Sequence, residues 1–257
     1  MTTVETSGAP TNPYVGPVPF REGQKLYGRE KETEELVDLL VSKRIVLLIA
    51  PSGAGKTSLI QAALIPRLRD RYKLQTLPTI RLTYRSEQVG QRSDVNRYAL
   101  STMRSLEGHF PPEQRYTDEQ LAELSLGRYF EQRFPISRDV ASRQHWVLVL
   151  DQFEELFTLD PLDVAKKRAF LEDLGNVLAG VRGSAEEPEV AGPPTLWALF
   201  SMREDYVAEL QPFLDLIPTG LAFRYRLDLL ERDRALEPVA KPAGSAMDPA
   251  TAPRLVE

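Results

Sequence analysis

The sequence predicts an α/β fold, in which helices cover both faces of a mainly parallel sheet of five strands. Two observations support this prediction. Short and almost wholly apolar runs, such as residues 44–50 and 146–150, have the composition of strands that are buried on both faces. Segments with helical periodicity separate these runs, and an alternation of strands and helices is typical of parallel sheets. We therefore expect a three-layer sandwich, with the sheet between two layers of helices.

The predicted elements follow one another in the order that this fold requires. In the first helix, Leu36, Leu39 and Leu40 form an apolar stripe, with acidic residues on the opposite side. Pro66 is expected to bend the second helix, and a loose segment is expected over residues 183–194. The predicted strands are residues 44–50, 79–84, 146–150, 195–201 and 221–227. The predicted helices are residues 31–42, 57–68, 95–106, 118–134, 164–181 and 204–210.

Proline-rich stretches set the expected domain boundaries. The first twenty residues contain four prolines and few periodic apolar positions, so we expect an extended arm over residues 1–25. Four more prolines lie between residues 238 and 253, where no strong periodicity survives. We interpret residues 26–237 as the folded domain, and residues 238–257 as the start of a helical domain or a flexible tail.

The composition excludes several kinds of site. The 257-residue chain contains no cysteine, which excludes disulfides, thiolate metal ligands and cysteine nucleophiles, and its two histidines disfavour an all-histidine zinc centre. The N-terminus has neither the basic stretch nor the apolar core of a signal peptide. No run reaches the roughly 18 apolar residues of a membrane span. We therefore expect a cytoplasmic protein without a membrane partner.

A phosphate-binding loop follows the first predicted strand. Residues 50–58 read A-P-S-G-A-G-K-T-S and match the pattern G-x-x-x-x-G-K-[ST] except at its first glycine, which is Ala50 here. The two later glycines let the backbone bend so that several N–H groups face a phosphate at the start of a helix. Lys56 would place its charge on the β- and γ-phosphates, and the Thr57 hydroxyl can reach Mg²⁺. The residues expected to bind nucleotide here are Pro51, Ser52, Gly53, Ala54, Gly55, Lys56, Thr57 and Ser58.

An aspartate and two glutamates follow the third predicted strand. Asp151 ends the apolar run V-L-V-L and would emerge at the carboxyl end of its strand, where ligands bind in open α/β sheets. Together with Thr57 it is expected to hold Mg²⁺. The next residue is Gln152, whereas many hydrolysing phosphate-loop NTPases carry a glutamate there that polarises the attacking water. We take Glu154 as the first candidate for that role and Glu155 as the second; alternatively, both glutamates simply begin a helix.

An arginine follows the fourth predicted strand. In NTPases with an additional strand between the loop strand and the acidic strand, a polar residue at this position senses the γ-phosphate. The planar guanidinium of Arg203 can bind phosphate oxygens through two hydrogen bonds, and loss of the phosphate would release it. Alternatively, Arg203 is a surface residue that pairs with Glu204 or Asp205.

Taken together, these motifs resemble those of the STAND class of P-loop NTPases, whose NTPase domain is similar to those of AAA+ and NACHT proteins. The resemblance is strongest to the bacterial novel-STAND branch and covers roughly residues 12–243. Residues 26–32, L-Y-G-R-E-K-E, fit the family motif h-h-G-R-E-x-E, in which h is apolar. The resemblance implies a nucleotide site that includes Tyr27, Gly28 and Arg29, with the first two near the adenine and ribose and Arg29 organising the loop. Other similar stretches are residues 12–14 with Gly16 and Phe20, residues 151–157, residues 203–206, and residues 225–243, which resemble the passage into the helical domain.

The resemblance also implies a function. It implies a P-loop NTPase of the AAA+-like kind that binds ATP with Mg²⁺, hydrolyses it slowly and acts as a signalling switch. Such a switch would control oligomerisation or an effector, for example in bacterial defence, through self-association or through further domains such as WD40 or tetratricopeptide sensor repeats. Members of the class continue into helical and winged-helix domains, and the sequence leaves open whether this chain is an excised module or a short member.

Two other functions stay open at this point. Because Gln152 cannot act as a base, the chain could be a nucleotide-gated scaffold without turnover. The motif order also fits a DNA-associated AAA+ ATPase of the replication-initiator type, and a basic cluster lies within residues 67–73. The net charge of −5 and the position of the cluster at a helix end favour solvated side chains that match the helix dipole, so we do not expect a nucleic-acid partner. The basic residues are Arg67, Arg69, Arg71 and Lys73.

Overall fold

Five parallel strands form the central sheet of the computed structural model. The structure describes residues 19–20, 22–24, 26–83, 94–135, 144–182, 189–190 and 196–230. The strands of the sheet are β1 (Ile45–Ala50), β2 (Gln75–Thr76), β3 (Trp146–Asp151), β6 (Leu196–Arg203) and β7 (Arg224–Arg226). Their order across the sheet is β2-β3-β6-β1-β7. A separate antiparallel pair consists of β4 (Val181–Arg182) and β5 (Glu189–Val190).

Helices connect these strands and lie on both faces of the sheet. The α-helices are α1 (Glu30–Lys43), α2 (Lys56–Ser58), α3 (Ile65–Tyr72), α4 (Arg97–Leu106), α5 (Asp118–Ala122), α6 (Leu126–Arg133), α7 (Glu155–Thr158), α8 (Val164–Ala179) and α9 (Val207–Leu210). A π-helical segment, Leu59–Leu64, joins α2 to α3, so that the chain is helical from residue 56 to residue 72. Short 3₁₀ segments are Glu107–His109, Pro112–Gln114, Glu204–Tyr206, Gln211–Leu216 and Pro218–Leu221.

Two apolar cores lie on opposite faces of the sheet. Alternate residues of β1 enter different cores, because successive side chains of a strand point to opposite faces. Ile45 and Leu47 pack with α4, α6 and α8, whereas Val46 and Leu48 pack with α1 and with the helical region after the phosphate loop. This arrangement confirms the predicted three-layer α/β fold with a parallel five-stranded sheet.

The predicted strand over residues 79–84 is wrong in position. The strand lies earlier, at Gln75–Thr76, and within the described residues only Ile80 of the predicted range pairs with β3, through an isolated bridge to Leu150. Leu77 donates to the Val147 carbonyl, but the next donor to β3 is Ile80, so one extra residue enters the ladder between them. Pro78 lies in this interval, and proline has no N–H to donate to a neighbouring strand.

Several predicted helix bounds are corrected by local capping. The predicted helix 118–134 is two helices, α5 and α6, because Ser125 accepts a hydrogen bond from the Arg128 N–H and starts a new helix. The helix predicted for residues 164–181 ends at Ala179, since Gly180 adopts a left-handed conformation that ends it. At Pro66, where a bend was expected, α3 begins directly after the π-helical segment. Part of the loose segment 183–194 is strand β5, and its other residues lie outside the described part of the chain.

One close contact in the fold predicts a large loss of stability. Gly175 of α8 lies against the backbone of Leu216, and a Cβ at this position would lie 1.9 Å from the Leu216 carbonyl oxygen. We therefore expect Gly175→Ala to lower the free energy of unfolding by about 2 to 3 kcal/mol, because the helix must move away from this backbone. Urea unfolding of the purified chain would measure the effect.

A second helical glycine offers a matched control for this prediction. A Cβ at Gly127 of α6 would lie 3.6 Å from its nearest neighbour, an oxygen of Asp173, which is an ordinary contact. Alanine is the better helix former by about 1 kcal/mol, so Gly127→Ala should leave stability unchanged or raise it. Equal losses in the two variants would contradict the argument from packing.

Candidate functional site

The phosphate loop joins β1 to the helical region that starts at Lys56. Gly53 and Gly55 have φ angles of 79° and 85°, in the left-handed region that other residues rarely adopt. A Cβ at either position would meet no atom within 4 Å, so glycine is favoured there by backbone conformation and not by lack of space. Gly55 immediately precedes the first helical residue, and its carbonyl accepts the N–H of Leu59. The loop therefore presents its backbone at the start of a helix, as the sequence predicts.

An open cleft of about 490 Å³ lies above this loop. Its volume is within the range of sites for small molecules and cofactors. The residues that line it are Pro19, Phe20, Ser52, Gly53, Gly55, Lys56, Thr57, Ser58, Gln152, Glu154 and Arg203. The fold thus brings Pro19 and Phe20 together with the phosphate loop and with the carboxyl ends of β3 and β6. The other residues predicted to bind nucleotide or act in catalysis do not line the cleft: Tyr27, Gly28, Arg29, Pro51, Ala54, Asp151 and Glu155.

Lys56 is the buried cation of the cleft. Its residue surface is only 9% exposed. Burial lowers the pKa of the Lys56 ammonium, and the nearby carboxylates of Glu154 and Asp151 oppose that shift. A buried positive charge that faces an open cleft is suited to bind an anion that replaces its lost hydration.

Thr57 and Asp151 meet beneath the cleft, although 94 positions separate them in the chain. The Thr57 hydroxyl donates a hydrogen bond of 2.8 Å to Asp151 Oδ2. Asp151 is 1% exposed, and its carboxylate also accepts bonds from Ser201 Oγ and from the Gln152 N–H, both at 3.0 Å to Oδ1. A hydroxyl and a carboxylate are hard oxygen ligands of the kind that Mg²⁺ prefers. The residues present therefore fit a magnesium site.

Arg81 is a residue of this site that the sequence analysis did not identify. Its guanidinium donates to Asp151 Oδ2 at 3.0 Å and lies 3.8 Å from Glu155 Oε1. The incorrect strand over residues 79–84 hid it, because that strand placed Arg81 within the sheet. In the structure it lies at the carboxyl edge of the sheet, directly after the bridge at Ile80. Because β2 ends at Thr76, the rule used for Asp151 would not have identified Arg81 even with β2 in its correct position.

The two candidate glutamates have different surroundings. Glu154 lines the cleft, and its Oε2 accepts the backbone N–H of Arg203 at 3.2 Å. Glu155 faces the other way: its Oε2 accepts the Leu82 N–H at 3.0 Å, and burial raises the pKa of its carboxyl group. Both residues also belong to the start of α7, as the alternative interpretation expected.

Arg203 ends β6 and lines the cleft opposite the phosphate loop. Its terminal nitrogen donates to Asp205, which is the pairing that the alternative interpretation expected. Its Nε atom is buried and has no hydrogen-bond partner among the described residues. A buried donor without a partner is energetically unfavourable, so this guanidinium has unused capacity to bind an acceptor.

Residues 28–30, G-R-E, contact the phosphate loop through Arg29. Arg29 is 5% exposed and donates to the carbonyl oxygens of Ala54 at 3.1 Å and Asp228 at 2.7 Å. Gly28 has a φ angle of 76°, and Tyr27 is half-buried beside it. The Phe20 N–H donates to Ser58 Oγ at 3.1 Å. Arg29 therefore contacts the loop at Ala54, and Ser58 contacts Phe20.

The basic cluster at the end of α3 is paired with acidic residues. Arg67 and Arg71 contact the carboxylate of Glu34 at 2.8 Å and 3.0 Å. Arg69 pairs with Glu22 and Asp70. These contacts supply acidic partners for Arg67, Arg69 and Arg71 within the chain. Within the described residues, no helix is both long and apolar enough to cross a membrane.

Comparison with known proteins identifies the family of this chain. The family model described as Novel STAND NTPase 1 matches residues 13–257, which is most of the chain. A comparison with curated proteins found no match.

Solved structures show the same fold at low sequence identity. A Walker-type ATPase of Pyrococcus abyssi superposes with a TM-score of 0.61 at 15% identity, over 94% of this chain and 65% of that one. The Aeropyrum pernix ORC2 protein in its ADP form gives 0.58 at 12% identity, over 91% and 58%. The Aeropyrum pernix ORC1 protein in complex with DNA gives 0.54 at 14% identity, over 90% and 55%. This chain thus spans between 55% and 65% of the length of these proteins, and at such identities the likeness shows the fold alone.

Proposed function

We propose, because the chain belongs to the Novel STAND NTPase 1 family, that it binds ATP with Mg²⁺, hydrolyses it slowly and acts as a nucleotide-dependent switch. The observation that carries this proposal is the hydrogen bond of 2.8 Å between Thr57 and Asp151 beneath a cleft that Lys56 lines. The switch would operate in the cytoplasm, for example in bacterial defence, and would control self-association or a further effector or sensor domain.

The phosphate loop and Lys56 would bind the triphosphate. The backbone N–H groups of the loop would donate to the phosphate oxygens, and Lys56 would neutralise the β- and γ-phosphates. Thr57 and Asp151 would hold Mg²⁺, which when bound neutralises charge on the phosphate oxygens. The preference for ATP over GTP rests on the family and on the lack of a guanine-reading N-K-x-D motif in the sequence.

Glu154 would orient the attacking water. Its carboxylate lines the cleft, and the bond from the Arg203 N–H fixes its orientation. In the reaction, the water oxygen forms a bond to the γ-phosphorus, the bond between that phosphorus and the bridging oxygen of ADP breaks, and the water proton passes to Glu154. Glu155 is less suited to this role, since its carboxylate is bound by the Leu82 N–H.

Arg203 would report whether the γ-phosphate is present. Its Nε–H, which has no partner among the described residues, could donate to a phosphate oxygen, and its terminal nitrogen could exchange Asp205 for another phosphate oxygen. After hydrolysis Arg203 would return to Asp205, which lies in the 3₁₀ segment that continues β6. That exchange would couple the nucleotide to the chain beyond the sheet.

A nucleotide-gated scaffold without turnover is the second candidate. Gln152 occupies the position directly after Asp151, and one oxygen of Glu154 is already bonded to the Arg203 backbone. Both observations favour a site with a weak base.

Binding and turnover, measured on one preparation, would separate these functions. We expect ATP to bind more tightly with Mg²⁺ than without it, to bind more tightly than GTP, and to release phosphate slowly. ATP that binds without phosphate release above the protein-free background would support the scaffold. A chain that binds no nucleotide would overturn both candidates.

A further inference from the structure

Arg81 places a positive charge beside Asp151, one of the two predicted metal ligands. It lies between two carboxylates, with 3.0 Å to Asp151 Oδ2 and 3.8 Å to Glu155 Oε1. Asp151 is almost fully buried, whereas 34% of the Arg81 side chain is exposed. Without Arg81, Asp151 and Glu155 would be two partly desolvated acids near each other, which is unfavourable. Arg81 is therefore the counter-ion of this acidic pair.

While Arg81 is bound to Asp151, all the hydrogen-bond acceptor sites of the Asp151 carboxylate are occupied. Each carboxylate oxygen has about two acceptor sites. Oδ1 accepts from Ser201 and the Gln152 N–H, and Oδ2 accepts from Thr57 and Arg81. A metal ion that binds this carboxylate must displace one of these partners, and the Arg81 guanidinium repels that ion.

Arg81 is the partner that can leave without disturbing the fold. Its backbone is anchored separately: Ser101 Oγ of α4 donates to the Arg81 carbonyl at 2.6 Å, and the next residue, Leu82, donates to Glu155. Its side chain reaches solvent, so a change of rotamer is enough to release Asp151. By contrast, Ser201 is fully buried, and the Gln152 N–H is part of the backbone directly after Asp151, so neither can move away by a change of rotamer at the surface.

We propose that Arg81 is a metal-competing counter-ion, which neutralises Asp151 when no Mg²⁺ is bound and gives way to Mg²⁺ when the nucleotide loads. Arg81 thereby sets the Mg²⁺ concentration at which the site fills. This inference rests on the proposed function, because it concerns the metal of the same site.

Removal of the guanidinium charge should tighten metal binding. The Arg81 guanidinium lies 3.0 Å from Asp151 Oδ2, so it repels a second cation that binds the same carboxylate. We therefore expect Arg81→Gln to lower the metal dissociation constant by about tenfold or more. Arg81→Lys keeps the charge but loses the planar fork, so it should fall between the parent and Arg81→Gln.

Metal titration of the ADP-bound chain tests this directly. Mn²⁺ would be added as the probe to ADP-saturated protein, and free Mn²⁺ would be measured by electron paramagnetic resonance. Affinity for ADP in excess EDTA would be measured in parallel and should be the same in the parent and Arg81→Gln. Arg128→Gln is the matched control, since Arg128 is exposed on α6 and pairs with Glu131 at 3.8 Å.

The outcomes separate this inference from the proposed function. Tighter Mn²⁺ binding in Arg81→Gln but not in Arg128→Gln would support it, and an affinity that rises in the order parent, Arg81→Lys, Arg81→Gln would strengthen it. Should Arg81→Gln fail to fold, Arg81→Lys decides the question: a lower Mn²⁺ dissociation constant than that of the parent would support the inference, and an equal or higher one would overturn it. Unchanged or weaker Mn²⁺ binding, with ADP binding intact, would overturn this inference only. Loss of ADP binding in EDTA would assign Arg81 to the phosphates and also overturn it, and a parent that binds no nucleotide would overturn both proposals.

Discussion

Lys56→Ala is expected to abolish ATP binding, with a dissociation constant raised by at least about a hundredfold. A charge-assisted hydrogen bond contributes about 1.5 to 3 kcal/mol, and Lys56 is placed to make such bonds to two phosphates. The surroundings increase the effect. Glu154 and Asp151 are close enough to influence the Lys56 ammonium, so its removal would leave the phosphates near these carboxylates without the Lys56 charge.

Equilibrium binding of ATP to the purified variants measures this effect. Lys31→Ala is the matched control: its side chain is 74% exposed on α1 and makes one pair, at 3.7 Å, with Glu35. The control should bind ATP like the parent, because an exposed pair of this kind contributes little. Undiminished binding in Lys56→Ala would show that the nucleotide binds elsewhere on the chain.

Glu154→Gln is expected to slow phosphate release by about a hundredfold or more while ATP binding is retained. A positioned general base contributes about 10² to 10⁴ in rate, and an amide cannot take the proton. The substitution keeps the shape of the side chain and an oxygen that can still accept the Arg203 N–H. The loss should therefore appear in turnover and not in folding or affinity.

Two comparison variants make this prediction specific. Glu155→Gln tests the second candidate and should slow turnover less, since Glu155 is bonded to the Leu82 N–H and lies outside the lining of the cleft. Glu209→Gln is the control on an exposed face of α9. Single-turnover phosphate release with ATP in all three would rank them. A larger loss in Glu155→Gln than in Glu154→Gln would reverse the assignment.

Much of the fold was predictable because its signals are local. The apolar run of β1, the glycines of the phosphate loop and the aspartate after β3 are each contained in a few consecutive residues. Parallel strands end at the same edge of a sheet, so the loop and Asp151 could be expected to lie near each other. The hydrogen bond between Thr57 and Asp151 agrees with that expectation.

Register was less predictable, because it depends on the neighbouring strand. Nothing within residues 79–84 indicates that the ladder to β3 slips by one residue between Leu77 and Ile80, where Pro78 has no N–H to donate. Likewise, the break between α5 and α6 depends on whether Ser125 turns to cap the backbone or stays within a helix. In both cases the local sequence is compatible with either structure, and packing against neighbouring elements decides between them.

The sequence by itself determined the layer architecture, the phosphate loop and the acidic strand end, since each follows from periodicity or from backbone chemistry within a short stretch. Only the tertiary structure decided which side chains meet at the carboxyl edge of the sheet. It brought Arg81 and Ser201 to Asp151, turned Glu154 towards the cleft and Glu155 towards Leu82, and placed Arg29 behind the loop. These contacts join residues from separate strands and loops, and their distances are set by strand register and helix packing, which no local pattern encodes.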